Sequence, residues 1–382
     1  MLLIKNAKVL TMAGTFLPQG DVLLDGTTIK AVESDISAPD ARVIDAKGLY
    51  AMPGVVDAHC HIGMWDDSLG SEGSDGNEIT NPVTPQLRAL DSLYPRDRCF
   101  GEALEGGVTT VATGPGSANV IGGQFVAMKT AGSYLEDMII REPLALKMAL
   151  GENPKRCYGD KDKMPMTRMA SAALIREAFI KAQGYMRKMD NPDPDKRPDR
   201  DLGMEVLVKA LRREILVKAH AHRSDDILTA IRIAHEFNLN MTLEHCTEGY
   251  LIIDRLAKEN MPITLGPLLS DRSKPELSNL TFTAPAQLEK AGVPFALMTD
   301  SPVIPEQFLS VEAALCVRYG LSEEAALKAI TINGAKAIGL ADRVGSLEAG
   351  KDADVCLYDG HPLDARSRVV CAIVNGEIKL EK

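Results

Sequence analysis

Between Val55 and Asp300 the chain repeats one pattern, a short apolar strand followed by an amphipathic helix. Strands are expected at 55–62, 108–114, 144–150, 215–221, 240–246, 262–266 and 294–300, with one more within 121–142. The helical intervals show the complementary period. Ser224 stands where an N-cap belongs, and Ile227, Ala230, Ile231, Ala234 and Phe237 share one face of the helix behind it. Residues 322–340 form another helical region, and the polar, proline-rich stretch 189–201 reads as an exposed loop. Strand–helix units repeated over roughly 250 residues point to an α/β fold, a (β/α)8 TIM barrel.

The two ends have a different texture. Residues 1–52 and 343–382 are short strands joined by turns, among them Asp25-Gly26, Lys47-Gly48 and Asn375-Gly376. Neither end has enough strands to bury a core alone, so both are expected to build one small β-sandwich domain beside a barrel domain of residues 53–342. A length of 382 residues with 45% hydrophobic composition accommodates that pair. The formal net charge of −10, with no basic run, argues against a nucleic-acid partner. No apolar stretch approaches the ~18 residues needed to span a bilayer. The opening MLLIKNAKVLTMAG reads as a strand rather than a leader, since it lacks a basic start and a long apolar core. Seven scattered cysteines without a CxxC suit a reducing, cytoplasmic setting.

In a barrel, functional side chains come from the C-terminal ends of the strands. His59 and His61 stand at the end of the first, His220 and His222 at the fifth, His245 at the sixth and Asp300 at the eighth. Five of the seven histidines thus fall at expected strand ends, with only His235 and His361 elsewhere. Residues i and i+2 of a strand face the same way, so His59 and His61 both turn toward the barrel axis and can grip one ion at about 2.0–2.1 Å. Asp57, two residues earlier, is placed to orient an imidazole. Lys147 interrupts the apolar run LALKMAL and must reach out, pair or be modified. Carboxylation by CO2 would turn it into a carbamate able to bridge two cations.

The segments PGVVDAHCHIGM (53–64), EGGVTTVATGPG (105–116), LEHC (243–246), MTDSP (298–302) and GSLEAGKDADVCLYDG (345–360) together resemble the metal-dependent amidohydrolase superfamily. The likeness is strongest to its imidazolonepropionase-related and prolidase-like members and covers nearly the whole chain. It implies that His59, His61 and Asp300 hold a buried metal ion, that His220 and His245 hold a more exposed one, and that Lys147 bridges both as a carbamate. It further implies that Asp300 is the general base. His222 lies on the same strand face as His220, so either can be the strand-five ligand. His220 is preferred, leaving His222 as a catalytic residue that contacts substrate or polarises its carbonyl. Deaminases of the superfamily tend to carry a Glu soon after that histidine. Here the string is HAHRSDD, which speaks against deamination.

The chemistry expected is hydrolysis of an amide, peptide or cyclic amide by a hydroxide shared between two divalent cations. Zinc suits the ligands best, and manganese or iron also fits. Amino-heterocycle deamination at a single ion, lactone or phosphotriester hydrolysis, and a barrel kept only for binding are the alternatives. The partner is a small-molecule substrate, and a homo-oligomer is expected by analogy with similar barrels. Asn119 and Gln124, in a glycine-rich loop, are candidates to hydrogen-bond an amide. Lys155, Arg156, Arg223 and Arg272 are candidates to meet a carboxylate. The glycine-rich acidic loop 65–80, opened by the single tryptophan Trp65, can close over substrate.

Overall fold

The computed structural model describes residues 1–65 and 70–382, so residues 66–69 of the expected substrate loop lie outside the described residues. Among the described residues, the N-terminal strands are β1 (Leu2–Leu10), β2 (Phe16–Asp25), β3 (Thr28–Glu33), β4 (Arg42–Asp45) and β5 (Tyr50–Pro53). The C-terminal ones are β14 (Val355–Tyr358), β15 (Val369–Val374) and β16 (Glu377–Glu381). Both ends enter one eight-stranded sheet of order β16-β15-β14-β5-β1-β2-β3, with β4 beside β1. The join is β5 against β14, antiparallel, with Leu357 opposite Ala51. Ile4, Val22, Leu24, Val355, Leu357 and Ile373 form its apolar core. Asn375 and Gly376 both take positive φ, as a tight hairpin between β15 and β16 requires.

The second sheet is the barrel. Its strands are β6 (Val55–Cys60), β7 (Val108–Thr113), β8 (Ile121–Lys129), β9 (Ile139–Ala149), β10 (Leu216–Ala221), β11 (Met241–His245), β12 (Ile263–Leu265) and β13 (Phe295–Leu297). They pair in that order. The strand left loosely placed within 121–142 is β8, and it departs from the expected all-parallel pattern. It runs antiparallel to both β7 and β9. The cause is the connection: residues 114–120 are too few for a helical crossover, so the chain returns as a hairpin.

The edge strands β6 and β13 are stitched by side chains. Asp57 Oδ2 accepts from Thr299 N at 2.8 Å and from Thr299 Oγ1 at 2.7 Å, while its Oδ1 accepts from His59 N at 2.9 Å. Asp57 therefore closes the barrel instead of orienting an imidazole. Burial pushes its carboxyl up to about 6.

Two helix expectations are also corrected. Arg223 takes the N-cap position of the helix Ser224–Phe237, and the Ser224 hydroxyl donates to Glu248 Oε2 at 3.0 Å. The apolar face read from the sequence is buried as expected. The 322–340 region splits into Glu323–Ala329 and Ile332–Ala337, because Thr331 leaves helical backbone with φ −136 and ψ −101. No helix among the described residues is long and apolar enough to cross a membrane.

The two sheets are locked by a buried ion cluster. Lys129 Nζ, at the end of β8, lies 2.5 Å from Asp354 Oδ2 and 2.8 Å from Asp352 Oδ2 in the C-terminal segment. Removing one member of a buried pair strands the other charge. Lys129→Met is expected to lower stability by roughly 3–5 kcal/mol, read as a shift of the urea midpoint. An unchanged midpoint would show that the lock contributes nothing.

Candidate active site and metal centre

His59, His61, Lys147, His220, His222, His245 and Asp300 converge at the C-terminal ends of the barrel strands. Two groups have ligand atoms within 4.8 Å of one another: His59, His245 and Asp300, and His220, His222 and His245. His61 joins the first, with Nε2 3.1 Å from Asp300 Oδ1.

Hydrogen bonds fix which ring nitrogens are free. His61 Nδ1 donates to Gly114 O at 2.6 Å and His245 Nδ1 to Gly266 O at 2.9 Å, because a carbonyl only accepts. Their Nε2 lone pairs are left for the site. Neither ring nitrogen of buried His220 has a hydrogen-bond partner among the described residues. Burial, reinforced by neighbouring positive charge, holds His59, His220, His222 and His245 well below the usual imidazole range. Neutral imidazoles with unused lone pairs beside a carboxylate fit a divalent cation. Burial alone would raise the Asp300 carboxyl, but His245, His61 and Lys147 hold it at about 2, so it is ionised.

Backbone geometry aims two of these residues. Glu244 pairs with His220 across β10 and β11, and His245 pairs with Ala221. Strict alternation would give Glu244, not His245, the face shared with His220. A left-handed backbone at His245 (φ 69) breaks the alternation and turns the imidazole in; Asp300 is likewise left-handed (φ 53). Such strain in residues with side chains is typical of functional positions.

Two lysines lie side by side beneath the histidines, since Lys147 and Lys218 are register partners and both are fully buried. Lys218 Nζ is held by Glu244 Oε1 at 2.9 Å. Lys147 Nζ has no carboxylate partner among the described residues and lies 3.0 Å from His59 Nε2. Burial lowers it to about 8. Of the two, Lys147 is the one without a carboxylate to balance it. Glu244 Oε2, and not Asp57, is the carboxylate oxygen beside the His59 ring, 2.8 Å from Nδ1, although the two atoms are not aligned as a hydrogen bond.

The site opens into a cleft of about 740 Å³ lined in part by His61, Trp65, Asn153, Arg156, Lys274 and Asp300. Trp65 stands edge-on to His61, with ring centroids 5.4 Å apart. Of the six residues considered for hydrogen-bonding an amide or meeting a carboxylate, only Arg156 lines this cleft. Asn119 is buried between Thr84 Oγ1 and Tyr158 Oη, and Gln124 donates to Pro85 O at 3.1 Å. Asn119 braces the glycine-rich loop from inside, and Gln124, which lies in β8, ties that strand to the 85–86 backbone. Arg223 is paired with Asp225 at 3.0 Å, away from the cleft lining. Of the other cations considered, Lys155 and Arg272 do not line it either. A smaller cavity of about 320 Å³ at the N-terminal strand ends, lined by residues such as Met261 and Phe295, holds none of the site histidines.

Sequence reasoning missed Lys218, Glu244, Lys274 and Glu276. The first two carried a signal: each is a charged residue inside an apolar strand, on the face of His220. Glu276 carried none. It follows β12 in a short 3-10 turn, yet its buried Oε1 reaches within 3.6 Å of His222 Nε2 and 3.7 Å of His220 Nε2.

The amidohydrolase family profile matches residues 50–379, and the chain belongs to that family. The crystal structure of an amidohydrolase from Thermotoga maritima MSB8 superposes with a TM-score of 0.98 at 46% identity, over 100% of both chains. Amidohydrolase tasK of Hapsidospora irregularis is 31% identical over 95% of this chain, which spans 40% of that longer protein. The imidazolonepropionase of Klebsiella pneumoniae (strain 342) is 23% identical over 94% of this chain and 92% of its own length.

Proposed function

We propose that the protein is a metal-dependent hydrolase that cleaves the C–N bond of an amide, peptide or cyclic amide at a site for two divalent cations. The observation that carries this reading is the convergence of unprotonated imidazole nitrogens on Asp300 and Lys147 at the open end of the barrel. His59, His61 and Asp300 would hold one ion and His220 and His245 the other. Zinc suits the imidazoles and carboxylates, and manganese or iron also fits. Bound cations would supply a water ionised near neutral pH and polarise the substrate carbonyl.

Lys147 is read as the bridge. Its neutral amine adds through nitrogen to CO2 and loses a proton, giving a carbamate. With the amine held near 8, the reactive fraction grows as pH rises from 7 to 9. At a constant concentration of dissolved CO2, reconstitution of metal-free protein with zinc is therefore expected to accelerate over that window, followed as regain of activity. A flat rate would remove the carbamate.

Asp300, kept ionised, would take the proton from the attacking water and pass it to the leaving nitrogen. Arg156, exposed on the cleft wall, would meet a carboxylate on the substrate. Trp65 walls the cleft beside His61.

The test is a panel of dipeptides, N-acyl amino acids and lactams assayed for amine release. Activity is expected to vanish on chelation and return with zinc or manganese. Protein carrying two ions per chain that hydrolyses none of these classes would overturn the reading. A second reading, deamination of an amino-heterocycle, is favoured by Glu276. The sequence places no Glu after the strand-five histidine, but the fold brings one to it. Ammonia release in the same panel separates the two.

A further inference from the structure

The ligand set implied by the family likeness gives the second ion two imidazoles, His220 and His245, and relies on Lys147 to complete it. This chain places more around that point. His222 Nδ1 is occupied by Thr247 Oγ1 at 2.8 Å and His245 Nδ1 by Gly266 O at 2.9 Å, so the Nε2 atoms of both rings are left for the site. Among the described residues, neither ring nitrogen of His220 has a hydrogen-bond partner. The three rings pack face to edge and face to face, with centroids 4.2–4.7 Å apart.

Into this group comes Glu276. Its Oε1 lies 3.7 Å from His220 Nε2 and 3.6 Å from His222 Nε2. Ligand atoms bound tetrahedrally at ~2.0–2.1 Å stand about 3.4 Å apart, so these two separations are close to those of ligands sharing one ion, and among the described residues His220, His222 and His245 have ligand atoms within 4.8 Å of one another. The other carboxylate oxygen, Oε2, is already anchored, accepting from Glu152 N at 3.0 Å. Lys274 Nζ, 2.6 Å from Oε1, supplies the positive charge that an ion would bring. That ammonium is already part of the cleft lining, so displacing it moves it toward solvent and substrate.

We propose that the second ion is held by a three-imidazole, one-carboxylate set, His220, His222, His245 and Glu276, and that this set is complete without Lys147. The inference rests on the two-ion reading above. It makes both strand-five histidines ligands, and it makes the turn after β12 part of the metal centre. The Lys147 bridge then matters for the ion held by His59, His61 and Asp300.

The test titrates the metal-free full-length protein with Co2+, following the visible absorption of four-coordinate cobalt and the metal per chain. Glu276→Gln keeps the shape of the side chain. It is expected to lose the four-coordinate band and to bind that ion at least tenfold more weakly. Lys147→Met is expected to keep the band while binding one ion fewer. Wild-type titration by Glu276→Gln would overturn the inference, as would a band lost in Lys147→Met and kept in Glu276→Gln. Glu276→Gln that keeps both ions but loses turnover would also overturn it, making Glu276 a proton donor instead. Wild type that binds no cobalt would sink the two-ion reading itself, an outcome distinct from the others.

Discussion

Replacing Asp300 with asparagine is expected to lower turnover by about 10²–10⁴-fold while most of the metal stays in place. Asparagine keeps the shape and one oxygen near His61 Nε2, so the contact at 3.1 Å has a substitute. It also tolerates the left-handed backbone at this position (φ 53) better than most residues, so the fold should survive. What it cannot do is accept a proton. The measurement is kcat with saturating substrate, beside metal per chain by elemental analysis. Near-normal turnover in a metal-loaded variant would remove Asp300 as the base.

Lys147→Ala should take the protein from about two ions per chain to about one and abolish most turnover. The side chain is fully buried, and its amine meets His59 Nε2 at 3.0 Å without a carboxylate to hold it. Truncation leaves a small cavity at the floor of the site and removes the one group there that CO2 can convert into an anionic bridge. Acetate or propionate, supplied with zinc, is expected to fill that space and restore part of both metal content and rate. Lys218→Met is the control. Lys218 is buried beside Lys147 but already neutralised by Glu244 at 2.9 Å, so its loss should disturb His59 orientation without the carboxylate rescue. Two ions retained in Lys147→Ala would end the bridging role.

Much of the site could be read along the chain because strand periodicity is local. His59 with His61, and His220 with His222, share a face by i, i+2 spacing alone. Lys147 stood out because a lysine in an apolar strand needs a reason. The substrate-binding residues were less legible. Asn119 sits in the glycine-rich loop after β7 and Gln124 in β8 just beyond it, which made them candidates, but the acceptors they meet are Thr84 and the 85–86 backbone, far away in sequence. A polar side chain takes the partner that folding brings closest, and spacing says nothing about that choice.

The sequence by itself determined the alternation of strands and helices, the shared faces of the histidine pairs, the strand ends where they cluster, and the kinship of the two termini. Those follow from backbone periods of two and 3.6 residues, which each segment carries within itself. The tertiary structure decided the rest. It reversed β8, used Asp57 to close the barrel seam, turned His245 inward through a left-handed backbone, and brought Glu244 to His59 and Glu276 to His222. The Asp57, Glu244 and Glu276 contacts depend on groups meeting across long stretches of chain, where a contact is set by how strands close into a barrel and not by any local pattern.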